Sequence, residues 1–183
     1  MAAKRDTRYV LSDYLVASAR LGERHAWNWL YRLWHKRFVA HAWRLCGDAN
    51  TAQDHVQDAW AEIYSSLGKL SNDRAFAAWA YRIVTRKVMR GQKQAARETA
   101  LPMEVLEQAT SDDGVAKDET QTRLMLTQAV AQLPPEQRAA IALFYGQGMR
   151  IAEIAVATDA PVGTVKTRLM HARQKLKDIL KGE

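Results

Sequence analysis

The chain has 183 residues, a formal charge of +7 and a sequence pI of about 9.7, a balance that favours a polyanion or an anionic membrane surface as partner. This length accommodates one ordinary domain or two small ones. A single cysteine excludes an internal disulfide framework, no apolar run is long enough to span a bilayer, and the N-terminus lacks a signal-peptide core, so we expect a cytoplasmic protein.

Helix is the predicted secondary structure throughout. The chain has only nine glycines and four prolines, and its β-branched residues form no alternating run, which predicts an all-α fold. The glycine and proline positions divide the chain into the predicted helices 9–20, 24–46, 49–67, 73–94, 119–132, 135–145, 151–157 and 162–180.

An acidic stretch separates the helices into two groups. Between Glu98 and Thr120 there are seven acidic residues and one lysine, and the apolar residues lack a sustained helical period. We interpret residues 98–119 as a flexible acidic linker between two small helical domains, residues 1–97 and 120–183.

The helix at 49–67 carries an acidic stripe. Asp54, Asp58 and Glu62 recur at a spacing of four residues, opposite an apolar face that includes Val56 and Ile63. Three carboxylates in a row repel one another by a few tenths of a kcal/mol per pair, which a basic partner surface would offset. A docking surface is the favoured interpretation; a solvated face and a carboxylate metal site are the alternatives.

The next helix carries a basic stripe. The stripe consists of Arg82, Arg86, Arg90, Lys93 and Arg97, at spacings of three or four residues. The opposite side, Phe76, Ala80, Ile83, Val84 and Val88, is predicted to be buried. Trp79 falls near the basic stripe, where it could stack on an unpaired base or pack at the edge of the core.

The C-terminal helices predict a helix-turn-helix. Helix 151–157 is followed by a turn at Ala160-Pro161 and by helix 162–180, whose apolar face includes Val165 and Leu169. The opposite face carries hydroxyl, imidazole and basic side chains, which suits a recognition helix in a major groove. The alternative is an amphipathic helix with an ordinary charged surface that binds no DNA.

These segments resemble a known family. LPPEQRAAIALFYGQGMRIAEIA and PVGTVKTRLMHARQKL are similar to region 4 of bacterial sigma factors of the extracytoplasmic-function (ECF) group. LYRLWHKRFVAHAWRLCGD, DANTAQDHVQDAWAEIY and FAAWAYRIVTRKVMR resemble its regions 2.1, 2.2 and 2.3–2.4. The resemblance covers nearly the whole chain, with the two sets of motifs in the family's order.

The resemblance implies an alternative sigma factor that binds core RNA polymerase, through the β′ clamp helices and the β flap, and recognises promoter DNA. The core-binding residues would be Asp54, Gln57, Asp58 and Glu62. The minus-ten element would be bound by Lys69, Asn72, Arg74, Trp79, Arg82, Arg86, Arg90 and Lys93. The minus-thirty-five element would be bound by Thr164, Lys166, Thr167, Arg168, His171 and Arg173.

The chain departs from the family pattern at three places. Arg150 replaces a Ser or Thr that caps the following helix, and arginine cannot accept an amide hydrogen bond. Thr158-Asp159 replaces Leu-Gly in the turn, although aspartate tolerates a left-handed backbone less well than glycine. Lys87-Val-Met-Arg90 replaces a segment that usually carries Asn and Asp.

Other functions fit the pattern less well. A helix-turn-helix regulator that does not replace the sigma subunit is the main alternative, but it would not explain the two oppositely charged stripes. An enzyme is not expected, because nothing supplies a nucleophile or a phosphate-binding loop, and no cofactor is predicted. The histidines and Cys46 are too irregularly spaced for a zinc site. Four tryptophans between 27 and 43 are assigned to packing, with an anti-sigma factor as a less favoured contact.

Overall fold

The computed structural model of the protein describes residues 7–98 and 117–181, and side-chain surroundings for 7–97 and 124–181. Within these ranges the chain is helical without a strand, which confirms the predicted all-α fold class. The helices are α1 Thr7–Arg20, α2 Arg24–Cys46, α3 Ala49–Ser66, α4 Phe76–Glu98, α5 Lys117–Ala131, α6 Pro135–Ile141, α7 Ile151–Ala157 and α8 Val162–Lys181. Most of the predicted linker lies outside the described residues, and no described helix is long and apolar enough to cross a membrane.

The predicted and observed helix bounds differ by at most two residues except on two helices. The helix predicted from residue 73 begins at Phe76, because Asp73–Ala75 form a 3-10 turn in which the Asn72 side chain accepts a hydrogen bond from the Arg74 N–H at 3.0 Å. The helix predicted to run to residue 145 ends at Ile141 and continues as a π-helical turn, Ala142–Gly146. Such wide turns are often found at functional positions in helices.

Helix α2 lies at the centre of the N-terminal unit, α1–α4. It packs against α1, α3 and α4, and its Trp34 and Phe38 are buried against Tyr81 of α4. The Trp34 indole N–H donates to Ser12 Oγ at 3.0 Å, so its polar group is satisfied inside the core. Burial of each of these large side chains contributes about 1.5–3 kcal/mol.

A polar pair also lies in this core. His41 of α2 and Thr85 of α4 are buried, and His41 Nε2 lies 2.9 Å from Thr85 Oγ1. Burial, together with the positive charge of Arg44, lowers the pKa of His41 to about 3. The imidazole is therefore neutral in the folded protein at physiological pH.

The break between α2 and α3 follows from its sequence. Gly47 adopts a left-handed conformation with φ of 79° and donates its N–H to the Trp43 carbonyl at 2.7 Å, which ends α2. Asp48 then caps α3 by accepting the Thr51 N–H at 2.7 Å, and hydrogen bonds from the Thr51 hydroxyl and from the first amides of the helix lower the pKa of its carboxyl group.

The C-terminal unit, α5–α8, contains the predicted helix-turn-helix in α7 and α8. The pair packs together around Ile154, Val165 and Leu169, all buried. Arg150 provides no side-chain cap for α7, as predicted, but its backbone N–H donates to Glu153 Oε2 at 2.8 Å. Half of the usual reciprocal capping arrangement is therefore retained, because that half needs only a backbone donor at position 150.

The turn between α7 and α8 places Asp159 in the left-handed region, with φ of 52°. Glycine is the residue most often found in this conformation, so the backbone at Asp159 is strained. Thr158 helps to end α7, since both its N–H and its hydroxyl donate to the Ile154 carbonyl at 2.8 Å.

The two units pack against one another. Helix α7 lies against α4, and α6 and the π-helical turn lie against α2, so that buried apolar residues of both units form one cluster. Arg138 of α6 donates from Nη1 to the Leu45 carbonyl at 2.8 Å, and an ion pair joins Arg82 to Asp159. Neither contact was predicted from the sequence.

Candidate nucleic-acid and polymerase interfaces

The outer face of α3 carries the predicted polymerase-binding residues. Asp54, Gln57 and Asp58 are exposed on it, while Val56 and Ile63 are buried. The periodicity of the sequence therefore assigned the two faces correctly. Each exposed carboxylate is open to a partner from the solvent side.

The fourth residue of that set, Glu62, lies in a different environment. It is half-buried, and its carboxylate pairs with Arg86 of α4 and lies 3.4 Å from the Lys87 ammonium. The acidic stripe of α3 thus meets the basic stripe of α4 at this point. Glu62 is placed to join the two helices as well as to border the exposed face.

The basic stripe of α4 runs from half-buried to exposed positions. Its predicted buried side, Phe76, Ala80, Ile83, Val84 and Val88, is buried, which confirms that assignment. Arg90 and Lys93 are exposed, whereas Arg82 and Arg86 are partly covered and paired with carboxylates. The C-terminal half of the stripe is therefore the half that solvent reaches.

The predicted minus-ten loop precedes α4. Lys69, Asn72 and Arg74 are exposed around the short 3-10 turns between α3 and α4. Trp79 follows on α4, where it is half-buried with its ring 6.1 Å from that of Phe76. It is thus partly packed and partly accessible, and its role in stacking on a base stays a prediction.

Helix α8 presents a polar face to solvent. Its buried side consists of Val165, Leu169 and Ala172. The exposed predicted DNA-binding residues are Thr164, Lys166, Thr167, His171 and Arg173. Arg168 differs from them: it is half-buried and lines a cleft between α8 and α4.

Two of these side chains are held by local contacts. The Thr167 hydroxyl donates to the Gly163 carbonyl at 3.1 Å, which leaves its oxygen able to accept. The Arg173 guanidinium donates from Nε to the Tyr145 hydroxyl at 3.1 Å and lies 5.5 Å from the Phe144 ring centre. The π-helical turn therefore holds the Arg173 side chain of α8 in place.

Comparisons with known proteins match both units. The sequence matches the family model for sigma-70 region 2 over residues 30–98 and the model for sigma-70 region 4 over residues 123–176. The RNA polymerase sigma-H factor of Pseudomonas aeruginosa is 30% identical over 175 residues, covering 88% of this chain and 90% of that protein. The ECF RNA polymerase sigma factor SigM of Mycobacterium tuberculosis is 30% identical over 166 residues, covering 91% and 83%. The chain belongs to the ECF sigma factors.

Solved structures agree with this membership. The structure of CnrH in complex with the cytosolic domain of CnrY matches with a TM-score of 0.69 and 25% identity, over 94% of this chain and 99% of that one. The sigma factor RpoE in complex with the anti-sigma factor NepR, from Bartonella quintana, shares the fold with a TM-score of 0.64, 23% identity and coverage of 80% and 91%. The protein is an alternative sigma factor of RNA polymerase, and a regulator with only a helix-turn-helix is not favoured because such a protein would lack region 2.

The sigma factor also has an aromatic cluster with exposed members. For the tryptophans between 27 and 43 the favoured prediction was packing, with an anti-sigma contact as the alternative, but Trp29 is exposed. Trp34 is buried, but Tyr31 and Tyr64 are exposed, with Tyr31 5.1 Å from Trp60 and Tyr64 4.8 Å from Trp27. The spacing of four between Trp27 and Tyr31, and between Trp60 and Tyr64, was the available signal. It predicts neighbouring rings on two helices, but not which of them face solvent.

The described part of the sigma factor holds no cluster of three or more potential metal ligands. His41 lies in the core beside Thr85 instead. The Cys46 thiol donates to the Asp48 carbonyl at 3.3 Å, and burial raises its pKa.

Proposed function

We propose that this sigma factor binds core RNA polymerase through the outer face of α3. Asp54, Gln57 and Asp58 form the exposed centre of that face, and Glu62 borders it. Their charge suits a basic surface such as that of the β′ clamp helices, and complementary charges raise association rates and select the partner. The observation that carries this proposal is the exposure of three polar residues, at helical spacing, on the matched region 2 unit.

The segment from Lys69 through α4 binds the minus-ten element as a separated strand. Exposed Arg90 and Lys93 hold phosphates, as do Arg82 and Arg86 once their carboxylate partners are displaced. Partly accessible Trp79 offers a ring for stacking on a base, as is common in proteins that bind single strands. Lys69, Asn72 and Arg74 complete the binding surface in the loop.

The C-terminal unit binds the minus-thirty-five element as duplex and contacts the β flap. Helix α8 enters the major groove, where Thr164, Thr167 and His171 contact base edges. Lys166, Arg168 and Arg173 hold phosphates, which fix the position of the helix without reading sequence. The catalysis of transcription belongs to the polymerase, and the site of action is accordingly the cytoplasm. A protein of the anti-sigma kind is a further partner, in line with the complexes of the two structural neighbours.

Run-off transcription with purified core polymerase on a library of genomic fragments tests this proposal. The expected result is specific initiation that depends on the added sigma factor, from promoters that share an upstream and a downstream element. Asp58→Lys should abolish initiation and co-purification with the core enzyme, while Glu23→Lys, the same charge change at an exposed position in the same unit, should preserve both. Unchanged binding by Asp58→Lys would contradict the assignment of the α3 face.

A further inference from the structure

The π-helical turn before α7 places two aromatic rings beside α8. Phe144 is half-buried, whereas Tyr145 is 62% exposed, and the two ring centres lie 4.9 Å apart in an edge-on arrangement. Tyr145 lies outside the set of DNA-binding residues predicted from the sequence, whose members in this unit all belong to α8. Its phenol group is therefore presented to solvent next to the proposed DNA-binding side chains.

Arg173 of α8 lies against both rings. Its Nε donates to the Tyr145 hydroxyl at 3.1 Å, and its guanidinium carbon lies 5.5 Å from the Phe144 ring centre and 5.9 Å from that of Tyr145. A guanidinium group has five N–H donors in a planar fork, and this contact uses one of them. Among the residues that the structure describes, the Arg173 side chain makes no other hydrogen bond and no ion pair. Its Nη groups are therefore available to an anion.

The Tyr145 hydroxyl also keeps a donor. Its oxygen accepts from Arg173, and its own hydrogen finds no acceptor within the described part of the chain. A phenol group donates as well as accepts, so this O–H is able to donate to the same anion as the Nη groups. Tyrosine hydroxyls and guanidinium groups are both among the donors that bind the phosphate oxygens of DNA. The pair thus combines a charged and a neutral donor group at one exposed place.

The position of Arg173 on α8 indicates which part of the DNA it faces. Lys166 precedes it by seven residues, which is about two helical turns, so both exposed side chains lie on the same flank of α8. The exposed face that carries Thr167 lies beside this flank. When that face contacts base edges in the major groove, the flank faces the phosphates along one side of the groove.

We propose that Tyr145 is a phosphate-binding residue of the minus-thirty-five interface, and that its hydroxyl donates to the same DNA phosphate that Arg173 binds. The hydroxyl also holds the guanidinium group through Nε and leaves the Nη groups for the phosphate. The inference rests on the proposed role of α8 in binding duplex DNA. It extends the interface from α8 to the segment that precedes α7.

Tyr145→Phe tests the hydroxyl, because phenylalanine keeps the ring beside Phe144 and Arg173 and removes only the O–H. Tyr14→Phe is the matched control, since it makes the same change at a tyrosine that is 66% exposed on α1, in the other unit. The measurement is the affinity of holoenzyme, assembled from core polymerase and each variant, for a fluorescent promoter duplex identified by run-off transcription. Tyr145→Phe should bind about threefold to tenfold more weakly than wild type, the effect of one hydrogen bond, and Tyr14→Phe should bind as wild type does.

A methylphosphonate scan of the same duplex locates the contact. Each probe replaces one phosphate oxygen of the minus-thirty-five element by a methyl group and so removes the charge of that linkage. Wild type should lose about tenfold in affinity at the linkage that Arg173 contacts, the effect of a charged hydrogen bond, and both Arg173→Ala and Tyr145→Phe should lose less there. At the other linkages both variants should respond as wild type does, which a general change in structure would not produce.

Three outcomes would overturn the inference, and they differ in what they imply for α8. If Tyr145→Phe binds as tightly as Tyr14→Phe while Arg173→Ala binds more weakly, the hydroxyl contacts no phosphate and the proposed role of α8 stands. If Arg173→Ala loses no affinity, the phosphate contact assigned to Arg173 is wrong as well. If Tyr145→Phe changes the response at a linkage other than that of Arg173, the two side chains do not share a phosphate.

Discussion

Glu62 of α3 and Arg86 of α4 form an ion pair that joins the acidic helix to the basic one. Lys87 adds a second cation 3.4 Å from the other carboxylate oxygen. The side chains are partly exposed, at 32% for Glu62 and 38% for Arg86, so the pair contributes at most about 1 kcal/mol. Apolar packing between α3 and α4 sets how the two proposed binding helices face one another, and the ion pair lies at the edge of that contact.

Because Glu62 is paired with Arg86, we expect its substitution to have different effects from substitution of the exposed acidic residues of α3. Glu62→Gln should lower the free energy of unfolding by up to about 1 kcal/mol and weaken polymerase binding only slightly, since the lost partner is internal. Asp58→Asn should leave stability within about 0.5 kcal/mol of wild type and weaken polymerase binding more. Thermal unfolding and fluorescence-detected binding to core polymerase measure both effects. Greater loss of binding in Glu62→Gln would mean that Glu62 contacts the polymerase directly.

Substitution of Lys166 should lower the affinity for promoter DNA, whereas substitution of His171 should change the sequence preference. Lys166→Ala should weaken binding on all upstream sequences and reduce the slope of log K against log salt by about 1, because one phosphate contact is lost. His171→Ala should instead change which upstream sequences are preferred. Competition binding across a set of upstream variants at several salt concentrations checks both. A uniform loss in His171→Ala would count against base contact.

His41 should make the protein sensitive to acid. Its pKa is lowered in the folded protein to about 3, whereas the unfolded chain titrates near 6.5. The unfolded state therefore binds the extra proton first, and stability that is complete above pH 6.5 is lost as pH falls toward 3, by about 2 kcal/mol at pH 5. His41→Gln should remove this slope between pH 6.5 and 5, as measured by urea unfolding. An unchanged slope in the variant would assign the sensitivity to other groups.

Ser12 should be important for the aromatic core. Ser12→Ala leaves the buried Trp34 indole N–H without its acceptor, which should cost about 1–3 kcal/mol. Ser65→Ala on the exposed side of α3 is the control and should stay within about 0.5 kcal/mol of wild type. Chemical denaturation measures both, and equal effects would show that the indole finds another partner.

The His55 ring should leave no room for a side chain at position 91. A Cβ at position 91 of α4 would overlap the His55 ring of α3, which packs directly on the glycine. In a His55→Ala background, Gly91→Ala should stabilise the protein by about 1 kcal/mol through helix propensity. In wild type the same change should gain less or destabilise, because the ring must move. A double-mutant cycle from denaturation curves measures the difference, and additivity would disprove the packing argument.

Local pattern was sufficient to predict the helices and their faces. The burial of Val84 and Val165, and the exposure of Asp54 and Thr164, follow from the position of each residue around one helix. Gly47 and Asp48 likewise predicted the break between α2 and α3, because an αL ending and an N-cap are properties of a few neighbouring residues. The resemblance to two sigma regions rested on the same local residues.

Tertiary structure decided which charges meet. Arg82 was predicted as one member of a basic stripe, but its pairing with Asp159 depends on how α7 lies against α4. Arg138 reaches the Leu45 carbonyl across 93 residues of chain, and Arg168 faces the cleft while its neighbours on α8 face solvent. Helical periodicity fixes the direction of a side chain relative to its own axis, whereas its partner depends on packing between helices distant in sequence, which no single helix encodes.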